Sequence, residues 1–120
     1  MRISSLQARR MAIHAQGLSG KPSGSLPTRR QLRTAMQHLG VLQIDAVNAI
    51  ARSHLLVLRS RIGGTHDGVR DLLERSAYRA RDLHEYWCHE ACFVPAEDWH
   101  LFRWRMDRAA RGEMYKSMAE

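Results

Sequence analysis

The stretch 27–45 constrains this chain most. Behind Pro27, Thr28 and Gln31 have the spacing of a capping box. Leu32, Ala35, Met36 and Leu39 then recur at i, i+3, i+4 and i+7, the apolar stripe of a helix packed on a core. Gly40 supplies the residue at positive φ that ends such a helix. The period then changes. Leu42, Ile44 and Ala46 alternate with Gln43, Asp45 and Val47, which predicts a short half-buried strand over 41–45. On an extended backbone, side chains two apart share a face, with Cα atoms about 6.6 Å apart. Gln43 and Asp45 are therefore expected to point the same way, with Leu42 and Ile44 anchoring the other side. A carboxylate beside an amide on a rigid strand can hold and activate a water. The same alternation also describes an edge strand that simply shows its wet face.

The rest of the chain reads as short elements around this pair. Ser4 and Gln7 have capping-box spacing, and Ala8, Met11, Ala12 and Ala15 are expected to form the buried face of a first helix, with Arg9 and Arg10 off that stripe. Residues 17–27, rich in Gly, Ser and Pro, read as a loop. A third helix is expected over 53–61, broken by Gly63 and Gly64. A fourth, capped by Asp67, carries Val69, Leu72 and Leu73. Residues 83–89 and 91–94 read as a β-hairpin closed by Pro95, and a last helix opens at Ala96, Glu97 and Asp98. The expected class is mainly α with a small β component, in the order of a winged helix-turn-helix domain. Such domains dock helices or wings onto duplex DNA.

With 120 residues, one domain is the expectation. Lys and Arg total 19 against 12 Asp and Glu, a formal charge of +7, and lysine occurs only at Lys21 and Lys116. Arginine binds phosphate bidentately, so the excess favours a polyanionic partner, although it also serves as a solubility margin. No apolar run is long enough for a membrane helix, and no signal-peptide core is evident, so no membrane association is expected and a cytoplasmic setting is. Cys88 and Cys92 do not make a disulfide scaffold. His84, Cys88 and Cys92 would line one side of a helix, but their segment reads as strand and turn and lacks the CxxC spacing of common zinc sites, so no metal or other cofactor is expected. His89 with Glu90 instead forms a structural hydrogen bond or borders the site.

Several blocks resemble a known family. Leu39-Gly40-Val41-Leu42-Gln43-Ile44-Asp45-Ala46-Val47-Asn48, then Ala51-Arg52-Ser53-His54 and Ser60-Arg61-Ile62-Gly63, are similar to the winged-helix DNA glycosylases of the YcaQ type. Glu85-Tyr86-Trp87-Cys88-His89-Glu90-Ala91-Cys92-Phe93-Val94-Pro95 resembles a second block of that family, and Ser5-Leu6-Gln7-Ala8-Arg9-Arg10 its first helix. The resemblance implies tandem winged helices around a basic DNA channel and metal-free hydrolysis of the N-glycosidic bond of N7-alkylated purines, including interstrand crosslinks. It assigns Gln43 and Asp45 as the catalytic pair, matching the branch with a Gln-apolar-Asp motif. Family members are considerably longer. The chain is therefore expected to be an N-terminal portion, with a winged-helix domain over 1–95 and a helix over 96–120 leading to a following domain.

Arg52, Arg59 and Arg61, flanking the motif, are candidate phosphate contacts, as are Arg9, Arg10, Arg29 and Arg30; for any one of them a merely solvated face is the plainer reading. Asn48, His54, Tyr86, His89 and Glu90 are expected to border the site. Tyr86 and Trp87 offer stacking surface for a displaced base, but neighbours on a strand face opposite sides, so Trp87 is expected in the core. The expected partner is alkylated or crosslinked duplex DNA, bound by a monomer that associates with the nucleoid. Two alternatives are a non-catalytic winged-helix DNA-binding module or regulator, and an interaction domain whose charge is incidental. A regulator would be expected to dimerise and read base edges, whereas the helix over 53–61 has arginines but little Asn or Gln for that task.

Overall fold

The computed structural model describes residues 2–20, 24–46, 51–88 and 90–113. Local signals account for most of its elements. Ser4 and Gln7 form a reciprocal capping box that starts α1 (Ser5–Ala15), and Thr28 and Gln31 form another that starts α2 (Arg29–Leu39). Gly40, at φ 71°, closes α2 with its N–H on the Met36 carbonyl. The chain then enters β1 (Leu42–Gln43), α3 (Ser53–Ile62) and α4 (His66–Glu74). Thr65, not the expected Asp67, caps α4: its hydroxyl accepts from the Gly68 N–H, while Asp67 lies within the first turn. A π-helical turn (Arg75–Arg79) continues α4, with the Ala80 N–H on the Arg75 carbonyl at 2.9 Å.

The expected hairpin is present as β2 (Leu83–Trp87) and β3 (Ala91–Pro95). β3 lies in the centre of a three-stranded antiparallel sheet of order β1-β3-β2. Helix, strand, two helices and a hairpin whose second strand pairs with the first strand make a mainly α winged-helix fold. β1 is shorter than the expected 41–45 because the ladder ends once the Ile44 N–H has bonded the Ala91 carbonyl at 2.7 Å. After Pro95 the chain takes a 3-10 segment (Ala96–Phe102) before α5 (Arg103–Ala110), so the last helix opens with tighter turns than expected.

Register explains which side chains are buried. Leu42, Phe93 and Leu83 share one sheet face and pack with Leu32 and Met36 of α2, Leu55, Leu58 and Ile62 of α3, and Val69, Leu72 and Leu73 of α4. On the other face, Tyr86 meets Trp99 and Phe102 at ring-centroid distances of 5.9 and 5.2 Å, and His84 meets Trp99 at 4.4 Å. Two expectations about burial are corrected. Trp87 is 60% exposed, because it stands opposite Ala91 beside the hairpin turn; Tyr86 is the one of the pair that is covered. No residue of α1 is buried: Met11 is 59% exposed, and Ala8, Ala12 and Ala15 are exposed with it, since no described element covers their face. Among the described residues no helix is long and apolar enough to cross a membrane.

Candidate active site and nucleic-acid interface

Leu42 plugs the core, which leaves Gln43 exposed on the opposite face of the sheet, in the same cross-strand row as Cys92 and Tyr86. Ile44 packs against the core, and Asp45 follows, half-buried, where the chain has just left the ladder. The start of α3 holds Asp45 at two points. Its backbone N–H donates to His54 Nδ1 at 3.1 Å, and its Oδ2 accepts from the Ser53 hydroxyl.

His54 is itself fixed. It is 5% exposed, and its ring stands edge-on to Phe93 with centroids 6.4 Å apart. Burial, and then the nearby Arg52 charge, push its pKa below the ordinary histidine value, against a smaller opposing pull from Asp45. Because Nδ1 accepts an N–H, the neutral ring carries its proton on Nε2.

A cavity of about 350 Å³ opens beside this junction, lined by Ile44, Arg52, His54, His66, Arg70, Glu74, Tyr78 and Phe93. Asp45 is not among its lining residues. Tyr78 donates its hydroxyl to Glu85; that bond, with burial behind it, pushes the phenol pKa up to about 12, so Tyr78 stays a neutral donor at physiological pH. A larger cavity of about 560 Å³ lies elsewhere, between the start of α2 and the Leu83 and Pro95 ends of the hairpin strands. It is lined by none of Gln43, Asp45 and His54, so its size does not make it the site.

The arginines divide by what already engages them. Arg29 grips Asp82 with Nε at 2.6 Å and a terminal nitrogen at 2.5 Å, and this pair holds the Asp82 carboxyl below its usual range. Arg61 donates to the carbonyls of Gln16 at 2.9 Å and Val57 at 2.8 Å, tying the end of α1 to α3. Arg59 donates to the Gly64 carbonyl at 3.1 Å. Arg9, Arg10, Arg30 and Arg52 are exposed and enter no ion pair among the described residues.

Of the expected border residues, His54 is at the junction. Tyr86 belongs to the aromatic cluster with Trp99, where the Arg105 guanidinium lies 6.0 Å from its ring centre. Glu90 is exposed in the hairpin turn, its carbonyl accepting from the Cys88 N–H at 3.0 Å. Asn48 and His89 lie outside the described residues. Sequence reading did not single out Ser53 as a contact of Asp45, nor His66, Arg70 and Tyr78 as cavity walls. Only the position of Ser53 at the first turn of an expected helix hinted at its bond, since a hydroxyl there can reach an acid on the preceding loop.

No solved structure gives a significant match to the chain. A family model described as DNA glycosylase AlkZ-like matches residues 36–120, a span that takes in β1, the start of α3, the cavity and the hairpin. Since that match covers more than half of the chain and includes the stretch that presents Gln43 and Asp45, the chain belongs to the AlkZ-like DNA glycosylase family.

Proposed function

We propose that the chain supplies the catalytic pair of a monofunctional DNA glycosylase that hydrolyses the N-glycosidic bond of N7-alkylated purines in duplex DNA, interstrand crosslinks included. The observation that carries this reading is the grip on Asp45. An acid at the exit of a strand is held by backbone and side chain, two residues after an exposed amide. N7-alkylation places a positive charge on the purine, so the base leaves with the bonding electron pair and without prior protonation. Departure creates an oxocarbenium-like sugar. An ionised Asp45 stabilises that charge and accepts a proton from the water that attacks the anomeric carbon. Gln43 cannot act as a base, but its carboxamide orients the water through one donor and one acceptor. The activated leaving group makes a Lewis acid unnecessary, so no metal or other cofactor is invoked.

The DNA contacts in this proposal are phosphate contacts by arginine, supplied by Arg52 beside the junction and by Arg9, Arg10 and Arg30; Arg29, Arg59 and Arg61 are engaged within the protein, by Asp82 and by backbone carbonyls. The protein acts as a monomer in the cytoplasm on nucleoid DNA. In this proposal residues 1–95 are the winged-helix unit, and 96–120 follow it. The deciding experiment is excision of N7-methylguanine from duplex DNA by the full-length protein with Asp45→Asn. Excision should fall roughly 10²–10⁴-fold, the span of a lost general base, with DNA affinity kept. Equal turnover by variant and parent would remove Asp45 from the mechanism. Binding of alkylated duplex without any abasic product in the parent would favour a DNA-binding module instead.

A further inference from the structure

The first turn of α3 is built unusually. Its N-cap residue, Arg52, makes no side-chain capping hydrogen bond. The two residues that follow reach back to a single partner: Ser53 donates its hydroxyl to the Asp45 carboxylate, and His54 Nδ1 accepts the Asp45 N–H at 3.1 Å. A backbone anchor and a side-chain anchor on one residue leave it little rotation about χ1. The anchors are rigid in turn, because they start a helix whose Leu55, Leu58 and Ile62 are in the core and because the His54 ring is packed against Phe93. Catalytic groups repay such fixing, since a misplacement of about 1 Å costs on the order of 10² in rate.

We propose that Ser53 and His54 are the positioning residues of Asp45, and that their grip holds only while the His54 imidazole is neutral. The inference rests on Asp45 as the water-activating group. A protonated imidazole carries hydrogen on Nδ1, so two donors would face each other and the Asp45 backbone would be released. Burial and Arg52 oppose that protonation, and the Asp45 carboxylate favours it. The other ionisable groups around the adjoining cavity are His66, Arg70 and Glu74 of α4 and Tyr78 of the π-helical turn.

The test is single-turnover excision of N7-methylguanine by the full-length protein across pH, with DNA affinity measured alongside. Ser53→Ala and His54→Phe should each slow excision roughly tenfold to a hundredfold, as expected for a lost hydrogen bond to or beside a charged group, with little change in affinity. Ser53→Thr keeps a hydroxyl and should keep the rate. In His54→Asn the carboxamide oxygen can take the place of Nδ1 and does not titrate, so the rate should survive and the acid limb of the parent profile should move to lower pH. An amide ¹H–¹⁵N spectrum supplies a readout apart from activity: the Asp45 signal should shift with acid in the parent and not in His54→Asn. If His54→Phe does not fold, the Ser53→Ala and Ser53→Thr pair decides. Parent-like rates in Ser53→Ala and His54→Phe, with Asp45→Asn inactive, would overturn the positioning role and leave the Asp45 mechanism standing. Full activity of Asp45→Asn would overturn the mechanism, and the positioning role with it.

Discussion

The charge on His54 reaches beyond the reaction into folding. Its pKa is lower in the folded protein than in the unfolded chain, chiefly through burial. Between those two values the unfolded state binds more protons, so stability rises with pH. The contribution is fully present above the ordinary histidine value of about 6.5 and is lost as pH falls through the folded value. Burial lowers His84 in the same direction, so it adds to the effect. Urea midpoints measured at mildly acidic and at neutral pH should therefore be lower in acid, and His54→Asn should shrink the difference without abolishing it, His84 supplying the remainder. An unchanged difference would mean that the buried imidazole charges as readily in the folded protein as in the unfolded chain. At this scale the sequence offered Gln43 and Asp45 as candidates but not the contacts that hold Asp45. The alternation is local, and it holds in the structure for Leu42, buried, and Gln43, exposed; past the end of the ladder Ile44 and Asp45 are both partly covered. The bonds from His54 and Ser53 reach Asp45 across nine and eight positions of sequence, and no periodicity encodes such a return.

Elements were legible where their stop and start signals were covalently near. The capping boxes of α1 and α2, the glycine end of α2 and the two-strand pattern of the hairpin all depend on residues within one turn of each other. Partnering was not legible. The stripe of α1 has helical spacing whether or not anything packs on it, and Trp87 alternates correctly but falls beside the hairpin turn, away from the helices. The turn between α3 and α4 shows how two elements are joined through one atom's width. Gly64 has φ 82°, and a Cβ there would stand 2.7 Å from Pro27 Cδ, on the loop that leads into α2. Gly64→Ala meets both the left-handed backbone penalty and that clash. It should destabilise the fold by about 1–3 kcal/mol, read as a lower thermal midpoint. A neutral Gly64→Ala would show that Pro27 gives way instead of holding the turn.

For the whole molecule, the +7 charge matters only as far as it remains available to a polyanion. Arg29 is matched by Asp82, and Arg61 is spent on the Gln16 and Val57 carbonyls. Arg30 is exposed and enters no ion pair among the described residues, although it is adjacent in sequence to Arg29. Counterion release then gives the two kinds of arginine different signatures. Each phosphate contact adds about one to the slope of log affinity against log salt, whereas an arginine bonded to carbonyls releases no counterion on binding. Arg30→Ala should weaken duplex binding, reduce that slope by about one and leave the thermal midpoint in place. Arg61→Ala should leave the slope intact and lower the midpoint, because it frees the end of α1 and strips hydrogen bonds worth about 1 kcal/mol each. Fluorescence anisotropy over a salt series, beside a melting curve for each variant, separates the two. If both substitutions reduce the slope alike, Arg61 exchanges its carbonyl partners for phosphate on binding, and α1 must then shift when DNA is bound.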